Sequence, residues 1–251
     1  MPGLTHSRSG KSAAEWQARV DLAACYRLVA HFGWDDLVFT HLSARVPGPE
    51  HHFLINPYGL LFQEITASSL VKVDQEGQIV QSSSLHRVNP AGFTIHSAVH
   101  MGREDAAAVM HLHAPDGVAV SAHRDGLLPL SQTAMLCLDH LCYHEYEGVA
   151  LDLSERERLI RDLGDKRMMM LRNHGVLTVG GSVAEAFTYL YFLMKACEIQ
   201  VRAQACGPTH MPSAAAIETT RQQSAELGGA AKLTWPALLR LLEANGHVYA
   251  I

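Results

Sequence analysis

Apolar positions recur along this chain with two periods, one typical of helices and one typical of strands. Helical spacing over residues 13–32 follows Ser12 and Glu15, which form a capping box, and Gly33 is expected to end that helix. A second capping box, Ser182 to Glu185, begins a long helix that reaches about Ala205. The same spacing predicts further helices over residues 90–100, 115–123, 154–164 and 235–245.

Strand-like runs separate these helices, and several of them form hairpins. Strands are predicted over residues 37–46, 51–55, 106–113 and 135–138, with a hairpin around 75–77 and a strand–turn–strand unit over 168–180. Hairpins mixed with helices indicate an α+β fold with a largely antiparallel sheet covered by helices. We expect one domain over residues 13–251 with a C-terminal helical extension, a disordered segment over 1–12 and a mobile stretch over 207–229.

Composition narrows the range of partners. The chain has 251 residues, 48% of them hydrophobic and 18% charged, and its net charge of −5 argues against nucleic acid or an anionic membrane as the main partner. Its five cysteines include no CxxC pair, and no apolar run approaches the ~18 residues of a membrane span. No strand leads into a GxGxxG dinucleotide motif. These features predict a cytoplasmic protein with reduced thiols.

The 16 histidines direct attention to metal binding. His111 and His113 share one face of a predicted strand, because residues i and i+2 point the same way. Taken alone, this pair is equally compatible with hydrogen-bonded sheet histidines, and His174 alone with a turn residue beside a required glycine. Together the three would make a three-ligand site with open positions, which suits catalysis. Of the others, we expect His51 and His52 at a solvated strand start, and His123, His140 and His144 at the surface or an interface.

Five ordered motifs resemble the class II aldolase/adducin head-domain family over about residues 15–205. The resemblance implies an α/β/α three-layer arrangement around a mostly antiparallel central sheet, and a homotetramer with sites at subunit interfaces. It also implies a divalent ion held by His111, His113 and His174, for which we expect zinc, with iron or manganese as alternatives. The motifs are F-G-W-D-D-L-V-F-T-H-L-S-A-R-V, N-P-Y-G-L-L-F-Q-E-I-T-A-S-S-L-V-K-V, N-P-A-G-F-T-I-H-S-A-V-H, M-H-L-H-A-P and R-N-H-G-V-L-T-V-G-G-S-V-A-E-A-F.

The chain departs from the sugar-phosphate aldolases of this family at the positions that carry their acid and their phosphate. The aldolase acid corresponds to Gly92, which can neither accept a proton nor bind a metal, so the catalytic residue is unknown. The phosphate cradle of an asparagine, a threonine–glycine pair and two serines corresponds to His41, to Tyr58 with Gly59, and to Pro90 with Ala91. The family's tyrosine falls near Gln132 or Thr133. We therefore expect a substrate without phosphate, contacted by His41, Tyr58, Gly59 and Gln132.

These departures place the chain in an adducin-like bacterial branch and leave several functions open. The first is a divalent-metal lyase-like enzyme, carrying out aldol cleavage, epimerisation or decarboxylation on a small carbonyl or carboxylate compound. A variant of it is a non-haem iron oxygenase, since some oxygenases of aminocoumarin biosynthesis belong to this fold family. The second is a non-catalytic adducin-like oligomeric binding module. A third is an oligomeric scaffold that holds no ion.

Overall fold

A computed structural model describes residues 10–81, 87–148 and 154–251. The segments 1–9, 82–86 and 149–153 lie outside the described residues, and with them most of the predicted N-terminal disordered segment. In chain order the strands are β1 (His41–Arg45), β2 (Phe53–Ile55), β3 (Val71–Val73), β4 (Ile79–Gln81), β5 (Ala108–Leu112), β6 (Leu141–His144), β7 (Met168–Leu171) and β8 (Gly175–Gly180). The helices are α1 (Ala13–His31), α2 (Pro90–Gly102), α3 (Pro115–Ala122), α4 (Gln132–Cys137), α5 (Glu155–Leu163), α6 (Val183–Ala205), α7 (Ala214–Gln223) and α8 (Ala231–Ala244).

The strands form one sheet in the order β4-β3-β2-β1-β5-β8-β7-β6 within the described part of the chain. All neighbouring pairs are antiparallel except β6 and β7, which run parallel. Strand β1 therefore lies between β2 and β5, and His41 is paired with His111 across the β1–β5 register. The expected mostly antiparallel sheet is confirmed.

Helices cover both faces of the sheet, which gives the three layers. The larger core packs α1 and α6 against one face, where Leu42, Met110 and Val176 are fully buried. The smaller core packs α2 and α5 against the other face, around Val109 and Leu177. Because neighbouring strand residues point to opposite faces, β5 contributes Met110 to the first core and His111 to the second face. None of the described helices has the length and apolar character of a membrane span.

The helix predictions were most accurate where a capping residue precedes the helical spacing of apolar positions. Ser12 accepts a hydrogen bond from the Glu15 amide at 3.0 Å, and Ser182 does the same for Glu185 at 3.1 Å. Helices α1 and α6 accordingly begin and end within one residue of their predicted bounds. The hairpin around residues 75–77 is also confirmed, as strands β3 and β4.

Three sequence predictions were wrong. The strand expected at residues 135–138 belongs to helix α4, whose first turn is capped by the Ser131 hydroxyl. The stretch 207–229, expected to be mobile, contains helix α7, which Ser213 caps in the same way. Strand β1 begins at His41 rather than at residue 37, because Leu37 and Thr40 have positive φ angles of 51° and 67° that break an extended backbone.

Candidate metal centre

The three histidines singled out by sequence meet at one end of the sheet. His111 lies within β5, where it is 1% exposed, and His113 lies one residue beyond the end of that strand. His174 lies in the turn between β7 and β8, next to β5 in the sheet. The strand predicted to include His113 is thus shorter, but the two side chains still approach each other as i and i+2 neighbours.

The turn that carries His174 is shaped by the residues on either side of it. Asn173 has a φ of 57°, in the left-handed region that asparagine tolerates better than most residues. A Cβ at Gly175 would lie 2.2 Å from the Leu112 carbonyl oxygen, so only glycine allows β8 to approach β5 this closely. The His174 amide completes the turn by donating to the Leu171 carbonyl at 3.1 Å. The R-N-H-G sequence therefore fixes His174 against the end of β5.

The ring nitrogens of this cluster converge with their lone pairs facing one another. His111 Nδ1 donates to the Val176 carbonyl at 3.0 Å, and His113 Nδ1 lies 3.1 Å from an Asp36 carboxylate oxygen. A neutral ring whose Nδ1 carries the proton has a bare Nε2. The Nε2 atoms of His111 and His113 are nevertheless 3.0 Å apart, and those of His113 and His174 are also 3.0 Å apart.

This arrangement fits a cation better than it fits internal hydrogen bonds. Two bare nitrogens at 3.0 Å repel each other unless a positive charge lies between them, and three ligand atoms within 4.8 Å of one another can share one ion. Neutral imidazole nitrogens bind zinc at ~2.0–2.1 Å, which matches donors placed this closely together. Among the described residues, this is the one cluster of histidine, cysteine or acidic side chains with such a spacing.

The surroundings keep the His111 and His174 rings neutral. Burial lowers the pKa of His111 well below its usual value, and the neighbouring His174 and His113 lower it further. Burial, followed by the effect of His113, lowers the pKa of His174 to about 4. Neutral imidazole is the form that binds metal, so burial favours ligation at neutral pH.

Two partners of the cluster were not found from sequence. The Asp36 carboxylate fixes the His113 ring, and the Val176 carbonyl fixes the His111 ring, in the way that outer partners orient metal-bound histidines. Asp36 lies between the predicted helix over 13–32 and the predicted strand over 37–46, in a segment for which no helix or strand is predicted. A carbonyl partner such as that of Val176 leaves no trace in the sequence, because every residue carries one.

His41 lies behind the cluster, with its ring centroid 6.2 Å from that of His111. It is buried, and neither of its ring nitrogens has a hydrogen-bond partner among the described residues. Burial lowers its pKa to about 3. A Cβ at Gly92 would lie 2.5 Å from the His41 ring, so this imidazole fills the space into which a side chain at position 92 would project. The glycine at position 92 and the position of the His41 ring are therefore one steric feature.

The other residues expected to contact substrate make no hydrogen bond or ring contact with the three histidines among the described residues. Tyr58 and Gly59 lie three and four residues after the end of β2, at the end of the sheet where His41 begins β1. Tyr58 is 41% exposed, and Gly59 has a φ of 103° that favours glycine. Gln132 is exposed at the first turn of α4, and no hydrogen bond joins it to the three histidines within the described chain.

The remaining histidines divide into surface and buried groups. His51 is exposed and His52 partly exposed, and both precede β2. His123 and His140 are partly exposed, as expected for a surface or interface. His144 was placed wrongly, because it is only 3% exposed and its Nδ1 lies 2.8 Å from an Asp162 carboxylate oxygen. It ends strand β6, which sequence prediction missed.

Comparison with known proteins identifies the family. The model of the class II aldolase and adducin N-terminal domain matches residues 20–201. This chain belongs to that family. A "Putative aldolase class 2 protein" of Caulobacter vibrioides is 57% identical over 250 residues, covering 98% of this chain and 97% of that protein. Alpha-adducin of Rattus norvegicus is 49% identical over 197 residues, covering 77% of this chain but 27% of adducin.

Solved structures of the family show the same fold. An aldolase II superfamily protein from Pseudomonas syringae is 51% identical, with a TM-score of 0.92 over 96% of this chain and 98% of that one. The L-fuculose 1-phosphate aldolase from Glaciozyma antarctica is 30% identical, with a TM-score of 0.81 over 92% of each chain. The three-layer class II aldolase fold expected from the motifs is therefore confirmed.

Proposed function

We propose that this class II aldolase family member is a divalent-metal-dependent enzyme with lyase-like activity on a small carbonyl or carboxylate compound. The observation that carries this proposal is the convergence of the Nε2 atoms of His111, His113 and His174, with His113 Nε2 lying 3.0 Å from each of the other two, so that one ion could be held by all three. Aldol cleavage, epimerisation and decarboxylation share a step in which negative charge develops on a substrate oxygen. A bound divalent ion would stabilise that charge as a Lewis acid.

Zinc is the ion we propose, with iron and manganese as alternatives. Three neutral imidazoles and open positions are typical of catalytic zinc sites, and no thiolate lies in the cluster. Asp36 would hold His113 in the tautomer that presents Nε2, and the Val176 carbonyl would do the same for His111. Both partners are groups of the protein itself, so the fold would set the orientation of these two rings.

We propose His41 as the main substrate contact, with Tyr58, Gly59 and Gln132 in supporting roles. His41 has two buried ring nitrogens that lack a partner among the described residues, and burying an unpaired polar atom is costly. A substrate oxygen would supply the missing partner. Because a ring replaces the asparagine of the family's phosphate cradle, and Pro90 and Ala91 replace its serines, the substrate is expected to lack phosphate.

The assembly and setting proposed here follow from the family and from charge. We propose a homotetramer, in which a neighbouring subunit would cover the exposed sides of the histidine cluster; the His113 side chain is 29% exposed within the single chain. A cytoplasmic location and a small-molecule partner, rather than nucleic acid or membrane, agree with the net charge of −5. Analytical ultracentrifugation measures the assembly directly.

Elemental analysis of protein purified without a histidine tag tests the metal site. We expect one equivalent of ion per chain in the wild type and its loss in His111→Ala. Asp36→Asn keeps the ligands but weakens their orientation, so we expect it to lower metal affinity by about ten- to a hundredfold. His210→Ala, which alters an exposed histidine, is the control and should bind metal as the wild type does. A wild-type protein without stoichiometric ion would refute the proposal.

A substrate screen on the metal-loaded protein separates the enzyme from an adducin-like module. The second candidate is favoured by the 49% identity with alpha-adducin and by the glycine at position 92. Turnover that disappears in His113→Ala, while the oligomeric state is kept, supports the enzyme. Bound metal without turnover of any carbonyl or carboxylate compound supports the binding module. Iron as the native ion, with substrate-dependent oxygen consumption, would instead support an oxygenase.

A further inference from the structure

A stripe of buried polar residues crosses the sheet on the face covered by α2. His41, Ser43 and Arg45 alternate along β1 and share this face, because residues two apart in a strand point the same way. His96 and His100 lie four apart on α2, one turn from each other on a common side of the helix. The stripe begins beside the metal centre at His41 and ends at Arg45, at the other end of strand β1. The proposed function uses only its first member.

Hydrogen bonds join three residues of this stripe into a continuous chain. The Ser43 hydroxyl lies 2.5 Å from His96 Nδ1 and 2.7 Å from His100 Nε2. His100 Nδ1 lies 3.2 Å from the Ala106 carbonyl. Ser43 and His96 are both fully buried, so water does not compete for the hydrogen bond between them. Nothing in the metal centre requires this chain.

The donor and acceptor of each hydrogen bond in the chain follow from the bond between His100 and the Ala106 carbonyl. A carbonyl only accepts, so His100 Nδ1 carries a proton and donates it to Ala106. Burial lowers the pKa of His100 to about 3, so the ring is neutral and its Nε2 is an acceptor. Ser43 therefore donates to His100 Nε2 and accepts from His96 Nδ1–H. His96 Nε2 is left without a proton, and it makes no hydrogen bond within the described residues. Burial lowers the pKa of His96, and the nearby His41 backbone acts to raise it against that larger effect.

The two ends of the chain reach different environments. At the inner end, the His96 ring faces the His41 ring edge-on, with centroids 5.7 Å apart. At the outer end, His100 lines a cavity of about 170 Å³ together with Arg45, Phe53 and Met101. Met101 is 53% exposed, so this cavity lies at the surface. Phe53 stacks on the His100 ring at a centroid distance of 5.0 Å and fixes its position.

We propose that His96, Ser43 and His100 form a proton relay between the active-site side of the sheet and the surface cavity beside Arg45. A proton that arrives at His96 Nε2 releases the Nδ1 proton to Ser43, whose own proton passes to His100 Nε2. His100 then gives up its Nδ1 proton, which otherwise bonds the Ala106 carbonyl, to water that enters from the cavity. One proton enters and one leaves, and no bond between heavy atoms is made or broken. The relay rests on the proposed function in one respect only: the proposed enzyme reaction would supply the proton that the relay carries.

A purely structural hydrogen-bond network could have the same geometry, but it would not transfer protons. Buried polar groups are normally satisfied at both ends, whereas this chain ends in a nitrogen without a partner among the described residues, next to the His41 ring, whose two nitrogens also have none there. An open end beside the site and a surface cavity at the other end are what proton transfer requires. The difference is measurable in the absence of metal and substrate, as the exchange of ring protons with water.

The test is NMR on metal-free protein that carries ¹⁵N in its histidine rings. We expect the His96 proton on Nδ1, and we expect it to exchange with water faster than unfolding allows, despite complete burial. Ser43→Ala removes the bridging hydroxyl and should slow this exchange by about tenfold or more. His100→Asn keeps a donor for the Ala106 carbonyl but removes Nε2, so it should also slow exchange. It is the second variant in case Ser43→Ala folds poorly.

Ser97→Ala is the matched control. Ser97 is a fully buried serine on the same helix, and its hydroxyl donates to backbone carbonyls, including that of Phe93. Exchange at His96 should be unchanged in this variant. Unchanged exchange in both Ser43→Ala and His100→Asn, or a His96 proton located on Nε2, would overturn the relay. Because no metal is present, this result is independent of whether the metal centre binds zinc.

Discussion

The two faces of strand β1 lie at the same place in the sheet, but one carries apolar side chains and the other carries polar ones. On one face Leu42 and Ala44 pack into the larger apolar core with α1 and α6. On the other face His41, Ser43 and Arg45 meet α2 through polar side chains. Both faces are almost fully buried along 41–44, so burial alone does not distinguish them. The apolar face stabilises the fold without directional demands, whereas every polar atom on the other face needs a partner in a defined place.

This contrast explains why function concentrates on the α2 face. Helix α2 contributes Gly92, His96 and His100 toward β1, while α1 contributes Leu22, Cys25 and Tyr26 to the apolar core. A buried polar network is costly wherever a partner is missing, so the unpaired nitrogens of His41 and His96 mark the places where a ligand or a proton is expected. The predictions below separate the two faces experimentally.

The largest expected loss of stability comes from a substitution on the apolar face of β1. Leu42→Ala removes a fully buried side chain and should lower the free energy of unfolding by about 3 kcal/mol, through lost burial and the cavity left behind. Urea denaturation measures this loss. Metal affinity of the folded variant should match the wild type, because Leu42 points away from the cluster. A folded Leu42→Ala protein with impaired metal binding would contradict the separation of the two faces.

A smaller effect is expected where α2 meets His41. Gly92→Ala should destabilise the protein by about 2 kcal/mol, because the new methyl group would overlap the enclosed His41 ring. In a His41→Ala background the same change should become neutral or stabilising, since alanine favours a helix by ~1 kcal/mol over glycine. Thermal unfolding of the four proteins in this cycle gives the coupling. Additive effects would show that His41 does not fill the space next to Gly92.

The smallest effect concerns pH. His100 has a pKa lowered to about 3 by burial, against about 6.5 in the unfolded chain, so between these values the unfolded state binds more protons. Stability is therefore complete above pH ~6.5 and falls as the pH decreases toward 3. His100→Asn should reduce the stability difference between pH 7.5 and 5.5 by about 1.4 kcal/mol. His210→Ala, an exposed control, should leave that difference unchanged; an equal change in both variants would contradict the prediction.

Sequence predicted the fold well where elements carry local signals. Helices α1 and α6 have capping serines, and the turn at 172–175 has an asparagine with a positive φ and a glycine that lets β8 approach β5 closely. Short elements without such signals failed. Helix α4 is six residues long, too short for a helical period to be distinguished from a strand, and β6 is defined by pairing with β7, which is distant along the chain.

The candidate site was predictable to a similar degree. Spacing and turn chemistry indicate His111, His113 and His174, and the structure brings these three residues together. Asp36 and the Ser43 chain were missed because their importance depends on contacts between elements distant in sequence, 77 residues apart for Asp36 and His113. The H-x-S-x-R pattern of β1 and the two histidines four apart on α2 were visible, but alternation favours an exposed polar face over a buried one.

The backbone around His174 has a thermodynamic consequence for any ion that engages the cluster. Asn173 in the left-handed region and Gly175 against the Leu112 carbonyl leave this turn few alternative conformations, and His111 is held within a strand paired on both sides. The conformational entropy of arranging these ligands is thus lost during folding rather than during binding. Such preorganisation favours ions whose radius suits the existing spacing of the nitrogens, because the cluster cannot expand to accommodate a larger one.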